Sequence, residues 1–156
     1  MTAGTIRLFL GILTVTFVLW AQQDPAIGTW KLNVAKSKYS LGRAAKSGTT
    51  KIEPFGKNGI KLTADAIYVQ GNPLHIEWSA ELDGKDYPVK ANPNADTVSL
   101  KRIDAYTLEI RNKKAGKVMY SVQWKISKDG TSRTVTTTGT NAEGQRVESV
   151  EWYDKQ

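Results

Sequence analysis

The sequence predicts an all-β protein, an antiparallel up-and-down barrel of about ten strands that follows an N-terminal signal helix. Three observations lead to this fold class. Hydrophobic and polar residues alternate with a period of two, turn-forming pairs recur mostly every 11 to 14 residues, and no helical period of 3.6 is evident after residue 21. A chain of 156 residues is long enough for one packed domain, so we expect residues 22–156 to form a single barrel.

The first 21 residues have the layout of a secretory signal peptide. A short start with one positive charge at Arg7 precedes an apolar run over 8–19, and the small residue Ala21 stands before the first polar residues. This apolar run is shorter than the about 20 residues that a membrane-spanning helix needs. We expect cleavage after Ala21 and an exported protein, periplasmic or secreted. An uncleaved N-terminal anchor is the alternative, because Leu19 is larger than the residue preferred there.

Turn-forming pairs divide the rest of the chain into intervals of about one strand each. Examples are Asn58-Gly59 and Asp83-Gly84, in which glycine supplies a positive φ. Between the turns one face of each segment is apolar and the other polar, as in 117–127, which is typical of antiparallel sheets. The ten predicted strands cover 28–33, 48–54, 59–68, 74–82, 85–90, 96–103, 106–112, 117–127, 131–139 and 146–154.

The connections decide how these strands assemble. Residues 34–47 form the one long connection, which we predict to be a lid or a short helix. The polar segments 85–90 and 131–139 are the weakest strands, because they specify their register poorly. Ten hairpin-linked strands expose two edges unless the sheet closes, so a closed barrel is favoured over a two-sheet sandwich.

Both ends of the domain resemble the calycins, the lipocalins and fatty-acid-binding proteins. The domain opens with G-T-W-K-L at 28–32 and closes with Y-D-K at 153–155. The resemblance implies a ten-stranded closed barrel that binds a lipid or another apolar molecule inside. The segment 85–100 also resembles a group of small secreted bacterial proteins, and that resemblance brings no activity.

Three features depart from the fatty-acid-binding proteins. Those proteins are intracellular, and a helix-turn-helix lid separates their first two strands, for which residues 34–47 are too few. They also carry an arginine, two residues before the terminal tyrosine, that holds the ligand carboxylate, and this chain has Glu151 at that position. A negative side chain there would repel a fatty-acid head group, so the specificity for fatty acids is not carried over.

Gly28 and Trp30 form the structural motif that the resemblance identifies. In calycins the counterpart of Trp30 plugs the closed end of the barrel, and an arginine often packs on it. Because the first and last of ten strands run antiparallel, Trp30 should lie near Trp152 and Lys155, with Arg146 at the opposite end. By alternation Arg102 points to the apolar face, so it is our candidate for the packing arginine and for ligand binding.

Three aromatic residues on apolar strand faces are the further candidates for ligand binding: Trp78, Tyr120 and Trp124. In a barrel of about ten strands the interior can hold a small ligand. Indole and phenol rings would line such a cavity, and their N–H and O–H groups would orient a polar head. The alternative is that these rings fill the barrel and leave it dry.

The composition excludes several kinds of site. The absence of cysteine excludes disulfides, thiolate ligands and a cysteine nucleophile, and a single histidine excludes sites with several histidines. A haem iron could use His75 alone, but His75 shares a polar face with Glu77 and Glu81, where a surface position is expected. The two glutamates are about 13 Å apart along a strand, too far for a glycosidase pair. We expect no metal and no cofactor.

The function that these features favour is that of an exported small-molecule binding protein, which holds an apolar or amphipathic ligand without catalysis. The alternative is a structural or protein-interaction module of the cell envelope with a filled barrel, and an enzyme is favoured least. The net charge of +7 is spread over the chain without a basic cluster. We therefore expect no nucleic-acid binding, at most a weak attraction to anionic envelope surfaces, and a monomer.

Overall fold

The described chain is one antiparallel sheet that closes on itself. The computed structural model describes residues 24–40, 44–90, 92, 94–141 and 144–156. The predicted signal peptide over 1–21 lies outside these residues, and within them no helix is long and apolar enough to span a membrane. The first and last strands of the sheet pair with each other, so the predicted barrel is confirmed and the sandwich is wrong.

Strands account for most of the described residues. The elements in chain order are β1 (Gly28–Leu32), a 3-10 turn (Val34–Lys36), β2 (Lys38–Tyr39), β3 (Ala45–Phe55), β4 (Gly59–Tyr68), β5 (Pro73–Glu81), β6 (Tyr87–Lys90), β7 (Thr97–Asp104), β8 (Thr107–Lys114), β9 (Lys117–Ile126), β10 (Ser132–Thr140) and β11 (Arg146–Lys155). From β3 to β11 each strand pairs with the next, and β1 pairs with both β3 and β11.

The short strand β2 continues the line of β1, so the barrel has ten strand positions. Leu32 at the end of β1 pairs with Tyr153 of β11, and Tyr39 of β2 pairs with Ser149 further along the same strand. The prediction of a single connection over 34–47 is therefore only partly correct. A turn closed by Asn33, whose Oδ1 accepts from the backbone N–H of Lys36 at 3.3 Å, redirects the chain back onto β11.

The two strands predicted as weak differ in the structure. The Thr-rich strand β10 pairs without interruption along β9 and β11, from Arg133 to Gly139. By contrast β6 is short, and only two residue pairs join it to β5 and two to β7. Pro88 lies within β6 and has no backbone N–H to donate, which is one reason why this part of the wall is weakly paired.

Large apolar side chains fill one end of the barrel, which we call the packed end and which contains Gly28, Glu81 and Lys155. Trp30, Leu100 and Leu108 have no exposed surface, and the Trp30 Nε1–H donates to the Ala26 carbonyl at 2.9 Å. The other end contains Tyr39, Pro73 and Arg146 and is called the cavity end. Alternation along antiparallel strands directs the inward residues of both ends into one interior.

The motif of Gly28 and Trp30 has a clear structural reason. Gly28 has a φ of 138°, and a Cβ at this position would lie 2.7 Å from Cε of Lys155. Lys155 occupies that space because its Nζ donates to the Pro25 carbonyl at 3.3 Å and lies 5.1 Å from the Trp30 ring. The predicted neighbours Trp30 and Lys155 are paired in register, whereas the Trp152 ring lies under Lys36 on the outer face. A glycine is needed here so that the lysine can cover the tryptophan.

Candidate ligand-binding cavity

Two adjoining compartments occupy the interior between the packed end and the cavity end. The first has a volume of about 190 Å³ and the second about 240 Å³. Their walls share seven residues, so the two compartments are continuous. The shared residues are Tyr68, Leu74, Ile76, Asn92, Asn112, Val122 and Glu151. A space of this size, enclosed by strand side chains, is suited to a small molecule.

The three predicted aromatic residues face this interior, in different compartments. Trp78 and Trp124 line the first compartment, with ring centroids 6.4 Å apart and planes inclined by 27°. Leu62, Ile110 and other aliphatic side chains complete its apolar wall. Tyr120 lines the second compartment. The structure therefore places all three where alternation along β5 and β9 predicted them.

The arginine that packs on Trp30 is Arg133, so the prediction of Arg102 for this position is wrong. The guanidinium carbon of Arg133 lies 5.0 Å from the Trp30 ring centroid, 4.5 Å from that of Trp124 and 4.7 Å from that of Tyr153. Arg102 lies outside both compartments and forms an ion pair with Asp24, in the segment before β1. This ion pair connects the segment before β1 to β7 at the packed end.

Arg133 is a buried cation with unused hydrogen-bonding capacity. Only 1% of its surface is exposed, and neither Nε nor Nη1 has a hydrogen-bond partner in the described structure. Burial lowers the pKa of Arg133 to about 10, so the guanidinium remains charged at neutral pH. The three aromatic rings stabilise the charge from their faces, but they leave N–H groups beside the first compartment without an acceptor.

A carboxylate shares the first compartment with this cation. Glu151 lies opposite Val135 in the register of β10 and β11, one diagonal step from Arg133. Among the described residues Arg133 has no ion pair within 4.0 Å, so the two charges face the cavity without touching. Burial raises the pKa of the Glu151 carboxyl, despite the hydrogen bond from Tyr153 and the charge of Arg133.

Two tyrosines flank Glu151. The Tyr153 hydroxyl donates to Glu151 Oε2 at 3.2 Å, and burial raises the pKa of Tyr153 well above its ordinary value. Burial, followed by the charge of Glu151, raises the pKa of Tyr39 to about 12. Both phenols are therefore neutral at physiological pH and can act as hydrogen-bond donors.

The second compartment has a different character, because neutral polar groups dominate its wall. Asn92, Asn94 and Asn112 contribute side-chain amides, and Thr137 and Ser149 contribute hydroxyls. The hydroxyls of Tyr39 and Tyr120 are buried without a hydrogen-bond partner in the described structure. The interior thus changes from aromatic and aliphatic to polar along its length, which suits an amphipathic guest.

His75 and the two glutamates lie outside the barrel. His75 is exposed, and its Nδ1 lies 2.7 Å from Asp65 Oδ1. Glu81 accepts backbone N–H groups of Lys57 and Asn58, so it holds the turn between β3 and β4. Among the described residues no cluster of His, Asp or Glu could hold a metal ion.

Sequence reasoning missed Arg133 although a signal was present. Arg133 and Val135 alternate with threonines, so the apolar Val135 marks the inward face that Arg133 shares. The Thr-rich composition of the segment hid that pattern. Glu151 had been noticed only as a departure from a family pattern, and its place beside Arg133 follows from the register of β10 and β11.

Comparisons with known proteins support the fold. No family model and no curated protein matches the sequence. The structure is similar to that of the wild-type fluorescent protein UnaG, with a TM-score of 0.54 and 14% identity over 84% of this chain and 97% of that chain. A single-substitution variant of UnaG gives a TM-score of 0.53 and 15% identity, covering 85% of this chain and 96% of that one.

A third similar structure is the zebrafish ileal bile acid-binding protein complexed with cholic acid, with a TM-score of 0.49 and 14% identity over 85% of this chain and 99% of that chain. At these identities the likeness concerns the fold alone. The fold is thus a closed antiparallel barrel with ten strand positions, as the ends of the sequence indicated.

Proposed function

We propose that the protein binds a small amphipathic molecule inside the barrel and acts, after export, as a monomeric binding protein without catalysis. The observation that carries this proposal is Arg133, a buried cation in the wall of an apolar cavity of about 190 Å³, whose Nε and Nη1 have no hydrogen-bond partner in the described structure. A filled barrel would leave this charge desolvated and unsatisfied, at a cost of about 1–3 kcal/mol or more. A bound polar group removes that cost.

Apolar burial would supply most of the affinity. Trp78 and Trp124 offer large faces on one side of the first compartment, and aliphatic side chains such as Ile110 and Val122 cover the other walls. Burial of apolar area contributes about 25 cal/mol per Å², so a ligand with one or two rings gains several kcal/mol. The polar groups near Glu151 then orient one end of the ligand.

Two features of the proposal depend on the sequence rather than on the cavity. Export follows from the layout of residues 1–21, and the positive charge favours a weak attraction to anionic envelope surfaces. When the full-length sequence is expressed in a bacterial host, the protein should be recovered outside the cytoplasm with Gln22 as its first residue. Recovery of an intact chain in the cytoplasm would contradict export and leave binding to be tested separately.

Binding is tested by titration of the purified protein with the neutral dye Nile red, followed by tryptophan and dye fluorescence, and by native mass spectrometry. We expect one molecule of dye per chain and a change in the emission of Trp78 and Trp124. The substitution Val122→Phe narrows both compartments and should weaken binding at least 10-fold. Gln123→Phe is the matched control, because Gln123 points outward on the same strand.

The control separates the cavity from the outer surface. If Val122→Phe and the control bind the dye equally well, the dye is on the outside and the cavity proposal fails. If the wild-type protein binds no dye and carries no bound mass, the barrel is filled, and an interaction module becomes the better account.

A further inference from the structure

The charges inside the cavity limit the kind of polar group that a ligand can carry. The first compartment contains one buried cation, Arg133, and one largely buried carboxyl, Glu151. Asp65 also contacts this compartment, but its side chain is exposed and pairs with His75. The other polar groups of both compartments are neutral amides and hydroxyls. When the Glu151 carboxyl is ionised, such a lining gives no net advantage to a charged ligand.

Arg133 and Glu151 require opposite hydrogen-bonding groups from a ligand. Arg133 can only donate hydrogen bonds, and its Nε and Nη1 have no acceptor within the described structure. The ionised carboxyl of Glu151 can only accept; the Tyr153 hydroxyl donates to it at 3.2 Å, and the nearby Tyr39 hydroxyl interacts with it more weakly. Because the two side chains are diagonal neighbours that do not touch, one ligand group between them could contact both.

We propose that the polar group of the ligand is an amide or lactam, which places its carbonyl oxygen on Arg133 and its N–H on Glu151. This inference rests on the proposed function and adds the ligand class. An amide carries an acceptor and a donor side by side, so it satisfies both residues without a net charge. A carboxylate would accept from Arg133 but would be repelled by Glu151, and an ester would offer Glu151 no further donor.

The inference is tested with four probes that share one ring system: naphthalene, methyl 2-naphthoate, 2-naphthamide and 2-naphthoate. Their affinities are measured by calorimetry at pH 8, where Glu151 is more fully ionised. We expect naphthalene to bind, the ester to bind better because its carbonyl oxygen also accepts from Arg133, and the amide to bind at least about 10-fold better than the ester or the carboxylate. A hydrogen bond to a charged group contributes about 1.5–3 kcal/mol, which corresponds to about 10- to 100-fold in affinity.

Variants of Arg133 and Glu151 test whether these two residues cause the preference for the amide. Glu151→Gln has nearly the same shape without the charge, so the carboxylate should gain at least 10-fold and overtake the amide. Glu148→Gln is the matched control, because Glu148 is exposed on the outer face of β11 and should leave the order of the probes unchanged. Arg133→Met should weaken the ester and the amide, whose carbonyl oxygens lose their donor, and should weaken the carboxylate most, because Glu151 still repels it. Glu151→Gln keeps the test decisive if Arg133→Met does not fold.

The outcomes separate this inference from the proposed function. Equal binding of naphthalene and the amide would leave the cavity proposal intact and overturn the amide preference. Tightest binding of the carboxylate by the wild-type protein, unchanged in Glu151→Gln, would also overturn it. If none of the probes binds, not even naphthalene, both proposals fail.

Discussion

The packed end and the cavity end of the barrel are built from the same strands but have different interiors. At the packed end the inward positions carry large apolar residues such as Trp30, Leu100 and Leu108, which have no exposed surface. Towards the cavity end the inward positions carry small or polar residues, among them Ala64, Asn112 and Thr137. Closing the barrel requires only alternation, whereas the cavity requires inward residues that cannot fill the space.

This comparison indicates a division of labour between the two ends. The packed end excludes water and contributes most of the stability of the fold, because its side chains are buried against one another. The cavity between the two ends keeps groups such as Arg133 and Tyr120 without partners, which costs stability in the unoccupied protein. Functional sites commonly carry such a cost.

The largest expected effect is that of Trp30→Ala at the packed end. The substitution removes a fully buried indole, the hydrogen bond to the Ala26 carbonyl and the ring on which Arg133 and Lys155 pack. We expect a loss of about 3–5 kcal/mol in the free energy of unfolding, measured in urea. Trp152→Ala is the control, because Trp152 is only partly buried and lies on the outer face, and it should lose about 1 kcal/mol. Equal losses would contradict the role of Trp30 as the plug.

A pair of identical substitutions compares the two ends directly. Leu100→Ala opens a hole in the packed end and should cost about 3–5 kcal/mol. Leu74 lines both compartments, so Leu74→Ala only enlarges a space that is already open. We expect it to lower the free energy of unfolding by about 1 kcal/mol. Urea denaturation of both variants measures the difference, and a larger loss for Leu74→Ala would show that the cavity end carries the core.

The sequence predicted most of the fold because the packed end follows simple alternation. Trp78 on β5 and Trp124 on β9 were placed correctly from a period of two, and the pairing of Trp30 with Lys155 followed from an even number of strands. By contrast β2 has two residues, which is too short for any period to be recognised. Its pairing with β11 depends on the turn at Asn33, which redirects the chain.

The candidate site was less predictable, because its members come together through strand register rather than through sequence spacing. Arg133 and Glu151 are 18 positions apart and become diagonal neighbours only when β10 and β11 pair as they do. The unpartnered state of Arg133 depends on three aromatic rings from different strands. No pattern in one segment contains that information.

The pH dependence of the free energy of unfolding tests the burial of the Glu151 carboxyl. Burial raises the pKa of this carboxyl in the folded state, so between the ordinary glutamate pKa and the raised value the folded protein binds more protons than the unfolded chain. Stability contributed by the neutral carboxyl is therefore lost as the pH rises through this window. Glu151→Gln removes the titration, so its stability relative to wild type should increase with pH, by up to about 1.4 kcal/mol per pH unit.

Urea denaturation at intervals between pH 4 and pH 8 measures this difference. Glu148→Gln again serves as the control, because the exposed Glu148 should give a curve parallel to that of the wild type. Parallel curves for Glu151→Gln as well would show that Glu151 is solvated in the folded protein and does not share a dry compartment with Arg133.

The smallest expected effect concerns single hydroxyl groups of residues that line the cavity. The Tyr120 hydroxyl is buried without a partner, so Tyr120→Phe removes a desolvated group and should raise the stability by up to about 1 kcal/mol. Tyr153→Phe removes the hydroxyl that donates to Glu151 at 3.2 Å and should lower the stability by about 1 kcal/mol. Opposite signs in urea denaturation would show that the cavity keeps unsatisfied groups for a ligand. A loss for Tyr120→Phe similar to that for Tyr153→Phe would indicate that ordered water already satisfies the Tyr120 hydroxyl.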